Sequence, residues 1–173
     1  MISRTKIISI FLTSTLILPL TLSTSSFATT GATSMTLSVT SGSLTINTPS
    51  AMDFGTAIGA MTVTAEMGIV TVTDTRGAGN GWTASVISTA LTPATGPTIA
   101  ASLIGYKAGS IVHTNISSSV AHDQTNLEGV VDVVTAIASS WPNTATWTPS
   151  ISISVPVGLA SGTYVGTITH SVA

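Results

Sequence analysis

Cysteine is absent from the 173-residue chain and charge is scarce: lysine and arginine number 4, aspartate and glutamate 6. Without cysteine no disulfide can staple the fold, so a packed core and hydrogen bonds must hold it. With so few cations there is no basic patch, which argues against nucleic acid and anionic membrane surfaces as partners. The histidines (His113, His122, His170) stand apart, in no H-x-x-x-H spacing and beside no carboxylate cluster. Neither a metal nor a cofactor is expected. No G-x-S-x-G elbow occurs, and the glycine run "RGAGNG" (76–81) lacks a P-loop lysine and a following helix. An enzyme is therefore not expected. Leucine, lysine and glutamate are sparse beside threonine, serine, valine, isoleucine and alanine, a mixture that disfavours helices and favours strands.

The first residues do carry a long apolar run. Arg4 and Lys6 precede "IISIFLTSTLILPLTL" (7–22), and Ser26 and Ala28 supply small residues before a cleavage point. Residues 1–28 read as a signal peptide, removed after Ala28, and its polar interruptions and Pro19 argue against a retained membrane anchor. Residues 29–34 read as a flexible tether and 35–173 as one domain. The expected cations of that domain are Arg76 and Lys107 alone. The closing "GTITHSVA" contains no LPxTG-type sorting sequence, so surface attachment is expected to be non-covalent.

Strict alternation dominates the domain. "MTLSVT" (35–40) places Met35, Leu37 and Val39 on one face and Thr36, Ser38 and Thr40 on the other. Strands are expected near 35–40, 43–48, 61–65, 68–74, 82–88, 98–104, 110–114, 151–155 and 163–171. "SGS" (41–43) is expected to close a hairpin over 35–48, and "GLASG" (158–162) to pair 151–155 with the last strand. The run 126–141 fits a strand by its valines and a short helix over 127–138 by its alanines, and both readings stand. The sum is an all-β antiparallel β-sandwich, Ig-like or jelly-roll-like.

The least ordinary stretch is "VTDTRGAGNGW" (72–82), where Asp74, Arg76 and Trp82 surround a glycine run. Two residues apart on a strand, Asp74 and Arg76 share a face and reach a charge-assisted hydrogen bond. Trp82 then reads in two ways. Either it plugs one end of the sandwich while the ion pair pins the loop, or its ring and the Arg76 guanidinium offer a stacking and carboxylate-binding edge to a glycan. Tyr164 reads as a rim tyrosine with its hydroxyl on backbone. Trp141 and Trp147, in "SSWPNTATWTPS" (139–150), read as a loop pair exposed to a glycan or protein, or folded onto the sandwich.

These residues resemble the WxL-domain proteins of Gram-positive cell surfaces. The V-x-D-x-R-G-x-G-x-W type run is present, followed by Trp82-Thr83-Ala84 at the W-x-L mark. Tyr164 to His170 ("YVGTITH") occupies the Y-x-x-x-L-T-W mark, and "LTINTPSAMDFG" (44–55) resembles the opening strands. Ala84, Ile168 and His170 depart from the pattern. The resemblance implies a secreted, cell-wall-localised protein that binds peptidoglycan or another wall glycan, with other surface proteins as further partners and without catalysis. Its implied wall-contacting candidates are Asp74, Arg76, Trp82, Trp141, Trp147 and Tyr164. A second reading is a structural subunit of a surface fibre or layer assembled through strand edges, because uncharged Thr/Ser strands with a free edge pair readily with neighbours.

Overall fold

The computed structural model describes residues 30–77 and 79–173, so the leader expected at 1–28 lies outside the described residues. Residues 30–38 and 39–173 form separate units. The first contains no strand.

The second unit is built almost wholly of strands: β1 (Leu44–Asn47), β2 (Thr62–Glu66), β3 (Val70–Asp74), β4 (Trp82–Ser88), β5 (Ile104–Lys107), β6 (Val112–Ala121), β7 (Val131–Trp147), β8 (Ser150–Ser154) and β9 (Ile168–Val172). A 3-10 turn at Ala101–Leu103 is the one helical element described. All strand pairings are antiparallel. The larger sheet has the order β1-β3-β7-β4-β9, with β6 also paired to β7, and curls until β1 approaches β9. The smaller sheet has the order β2-β8-β5.

Alternation decides what lies between the sheets. Val70 and Val72 of β3, Ala84 and Val86 of β4, and Ile151 and Ile153 of β8 are buried, while their neighbours are only half-covered. Ile104 and Tyr106 of β5 and Leu127 complete the centre of the core. Alternating sequence and alternating burial coincide because successive side chains of a strand point to opposite faces.

The 17-residue β7 organises the larger sheet. Along one edge it pairs with β6 over most of its length. Along the other it pairs first with β4 (Ala136 opposite Trp82) and then with β3 (Asn143 opposite Asp74). β3 and β4 therefore lie end to end on the same edge, and residues 75–81 span the gap between them. The helix considered for 127–138 is overturned here: Val131, Val133 and Val134 stand in a strand flanked on both edges, and β-branched residues suit that setting. Trp141 and Trp147 are likewise on this strand rather than on a loop.

Two expected hairpins do not form. Residues 35–40 are in no strand, and Met35, Leu37 and Val39 are 95%, 86% and 83% exposed. The reversal expected at 41–43 is replaced by a continuation of the β1/β3 ladder: the Thr75 N–H donates to Ser43 O at 2.8 Å and the Ser43 N–H to Thr75 Oγ1 at 2.9 Å. A side chain at Gly42 would run into the Thr75 carbonyl. The final strand pairs with β4 instead of with β8. Both edges of β8 are already occupied, by β2 and β5, so no position for β9 is left there. The strand expected at 98–104 is also shorter and displaced, with a single bridge at Ile99 before the 3-10 turn and β5.

Deep in the core, three aromatic rings share one oxygen. The buried Trp147 donates from Nε1 to Tyr106 Oη at 2.9 Å, and His170 Nε2 lies 3.2 Å from the same oxygen, the Tyr106 and His170 rings being 5.6 Å apart and tilted. Burial raises the Tyr106 hydroxyl to about 12 and lowers the His170 imidazole to about 4 from an ordinary 6.5. With Nε2 unprotonated, neutral His170 can accept the Tyr106 O–H while Tyr106 Oη accepts from Trp147. Imidazolium would be a second donor facing a hydroxyl that already receives the Trp147 N–H.

Between about pH 6.5 and 4 the unfolded chain binds a proton at His170 that the folded chain does not, so stability falls as pH falls through this window. Urea unfolding from pH 7 to 4 should show this loss. His170→Phe should flatten the slope within the window; an unchanged slope would assign the acid sensitivity to other groups.

Candidate functional site

The end-to-end arrangement of β3 and β4 determines what the glycine-rich stretch does. Asp74, the last residue of β3, faces inward and is 1% exposed. A buried carboxylate requires partners. Arg76 provides them, its backbone N–H and Nε each donating to Asp74 Oδ1 at 3.0 Å and its Nη2 to Oδ2 at 3.1 Å. The same Nη2 donates to the Gly81 carbonyl at 3.3 Å, so one guanidinium grips both ends of the 75–81 loop. The Arg76 hydrogen bonds hold the Asp74 carboxyl below its usual range against the opposing effect of burial, and Asp74 raises Arg76 in turn.

Asn143 joins this pair to the tryptophan. Trp82 is 2% exposed and donates from Nε1 to Asn143 Oδ1 at 3.0 Å. Asn143 Nδ2 donates to Ser140 O at 3.0 Å and to Asp74 Oδ2 at 3.4 Å. Among the described residues no buried side-chain nitrogen or oxygen lacks a partner, as a buried network needs if it is to stabilise the fold. Asn143 is itself 1% exposed.

Two glycines make the loop possible. Gly77 has φ +77°, in the left-handed region where a side chain is disfavoured. Gly81 approaches β7 so closely that a Cβ would collide with the Ala136 carbonyl. That approach seats Trp82 opposite Ala136.

The structure thus brings together Asp74, Arg76 and Trp82. The indole is buried, and Arg76 bonds to Asp74 and the Gly81 carbonyl. Among the described residues the one ring contact is that of Tyr106 with His170. Trp147 is 2% exposed and belongs to the Tyr106 cluster. Tyr164 is half-buried, its hydroxyl donating to Ala160 O at 2.9 Å. Trp141 is 55% exposed on β7, two residues before Asn143. The Arg76 side chain retains 33% exposure. Asn143 was missed by sequence reasoning. It lies 61 positions beyond Trp82, in a segment whose Pro and Asn read as a turn, and only an alternating count through 143, 145 and 147 hints that it faces inward. Among the described residues no group of three or more His, Asp or Glu is placed to hold a metal.

The architecture is an all-β domain with an arginine-locked tryptophan corner, and the family comparison agrees with it. The model of the WxL domain, described as surface cell wall-binding, matches residues 29–172. The chain belongs to the WxL family. No curated protein matches it. The family's W-x-L mark now has a physical meaning in this chain. Trp82 and Ala84 are two apart on β4, share its inner face and are both buried, Ala84 completely. His170, at the position of the second mark's tryptophan, packs against Tyr106.

Trp82→Ala is expected to cost about 3–5 kcal/mol, as large core truncations do. Asn143→Ala leaves the buried indole N–H without a partner and removes the second of two donors to Asp74 Oδ2, and should cost about 1–3 kcal/mol. The double variant should fall short of the sum in urea titration, since both remove the same bond. Strict additivity would show that the 3.0 Å hydrogen bond contributes nothing.

Proposed function

We propose that this chain is exported and held non-covalently on the cell wall, with peptidoglycan or another wall glycan as its ligand. The observation that carries this reading is the wall-binding family match over residues 29–172. The buried Trp82 cannot stack on a sugar, so the contact falls to what the corner leaves outside. Trp141 presents more than half of its surface, and the Arg76 fork keeps an exposed flank beside the loop. Both adjoin the Asp74–Asn143 pair, Arg76 by direct hydrogen bonds and Trp141 through the backbone. An exposed indole offers an apolar face to pyranose C–H groups, and a guanidinium recognises the carboxylates of muramyl peptides. Asp74 and Asn143 serve as positioning residues that hold the arginine and the strand in place. We read the chain as a binding module with no catalytic role.

Trp141→Ala should lower co-sedimentation with purified peptidoglycan at least tenfold while leaving the melting temperature within about 2 °C, because truncating an exposed side chain removes little packing. Undiminished binding would move the contact elsewhere. A chaotropic wash of intact cells should release the protein whole; a fraction surviving boiling in detergent on the wall would indicate a covalent link.

A further inference from the structure

The curled larger sheet does not close. β1 and β9 are the outermost strands of its path and do not pair with each other. Beyond their paired portions the chain leaves a cleft of about 430 Å³ between residues 49–54, which follow β1, and 163–168, which lead into β9. Its floor is the core itself, Ile151 and Ile153, and its walls include Met52, Phe54, Val165 and Ile168. One wall is extended backbone already bonded on its far side. The Thr92 N–H donates to Val165 O at 2.9 Å, the Val165 N–H returns to Thr92 O at 3.1 Å, and the Thr89 N–H donates to Thr167 O at 2.9 Å. In an antiparallel pair the residues between such bonds aim their backbone groups the other way, so Tyr164 and Gly166 present N–H and C=O groups away from Thr92.

The same chain holds a strand-patterned segment that no sheet takes up. Met35, Leu37 and Val39 alternate with Thr36, Ser38 and Thr40, and the three apolar side chains are 95%, 86% and 83% exposed. Ser43 continues the β1/β3 ladder through its hydrogen bonds with Thr75, Gly42 packs on the Thr75 carbonyl, and the segment before them does not turn back to pair beside β1. The residues preceding Gly42 lie outside the sheets, and a chain extends at about 3.3 Å per residue, long enough to run along the short wall of a neighbour's cleft.

We propose that residues 35–40 of one copy enter the β1/β9 cleft of a second copy as an added strand, Met35, Leu37 and Val39 covering its apolar floor. Such strand addition draws affinity from main-chain hydrogen bonds and specificity from alternate side chains entering pockets. Donor and acceptor are different surfaces of the same chain, so the contact is head-to-tail and builds a ring or an open filament. This association is independent of wall binding and needs no wall component.

The chain has no cysteine, so introduced cysteines report contacts without interference. Full-length Leu37→Cys and Val165→Cys proteins, mixed and oxidised, should give a mixed disulfide dimer in at least fivefold excess over a Leu37→Cys and Thr148→Cys mixture, Thr148 being exposed away from the cleft. In sedimentation velocity the unmodified chain should form larger species as concentration rises. Leu37→Asp should abolish them with an unchanged melting temperature, since Leu37 lies outside the sheets. A chain that stays monomeric, oligomers that persist in Leu37→Asp, or an intramolecular disulfide in a Leu37→Cys/Val165→Cys double variant would each overturn the proposal.

Discussion

Asp74 facing Asn143 across the β3/β7 ladder is the constraint around which the domain is arranged. Two polar side chains are buried at the point where one strand ends and the next begins along the same edge of β7. Neither is tolerable alone in an apolar interior. Arg76 neutralises the acid, Asn143 links it to the indole, and the guanidinium also holds the carbonyl of the residue before Trp82. The loop geometry, the glycine at 81 and the register of β4 follow from satisfying that pair. The ion pair is half open to water, where such pairs contribute modestly, so its role is to select one loop conformation more than to add stability.

A second polar group is buried on different terms. His170, Tyr106 and Trp147 join β9, β5 and β7 through one phenolic oxygen, tying the two sheets together. Where the Arg76 corner depends on charge, this cluster depends on its absence, because only the neutral imidazole suits the site. The two networks therefore respond to acid at different stages. His170 is affected first, while Asp74, lowered by Arg76, stays ionised further into the acid range.

This division bears on how the WxL family marks should be understood in this chain. Trp82, Ala84 and His170 lie on inner or half-buried faces, so the marks describe how the sandwich is closed. The outer flank of Arg76 and the ring of Trp141 remain at the surface beside this corner. The unclosed β1/β9 seam adds a second, separate surface, one suited to an extended chain.

Much of the fold was legible in the sequence because alternation of apolar and small polar residues is a local property. β3, β4 and β8 fall where the pattern places them, and the Asp74–Arg76 contact needs only two residues on one face. Pairing was not legible. "MTLSVT" alternates as cleanly as any true strand yet joins no sheet, and just beyond it Ser43 is held by Thr75, 32 positions away. The last strand chose β4 over β8 because β8 had no free edge. Asn143 joined the site from 69 positions beyond Asp74, announced only by its alternation with Ala145 and Trp147. The sequence by itself determined an all-β chain with an acid–arginine–tryptophan corner. Only the tertiary structure decided which way Trp82 faces and which asparagine completes its hydrogen bond, because strand pairing joins residues by edge availability and register, and neither is encoded within a short window of chain.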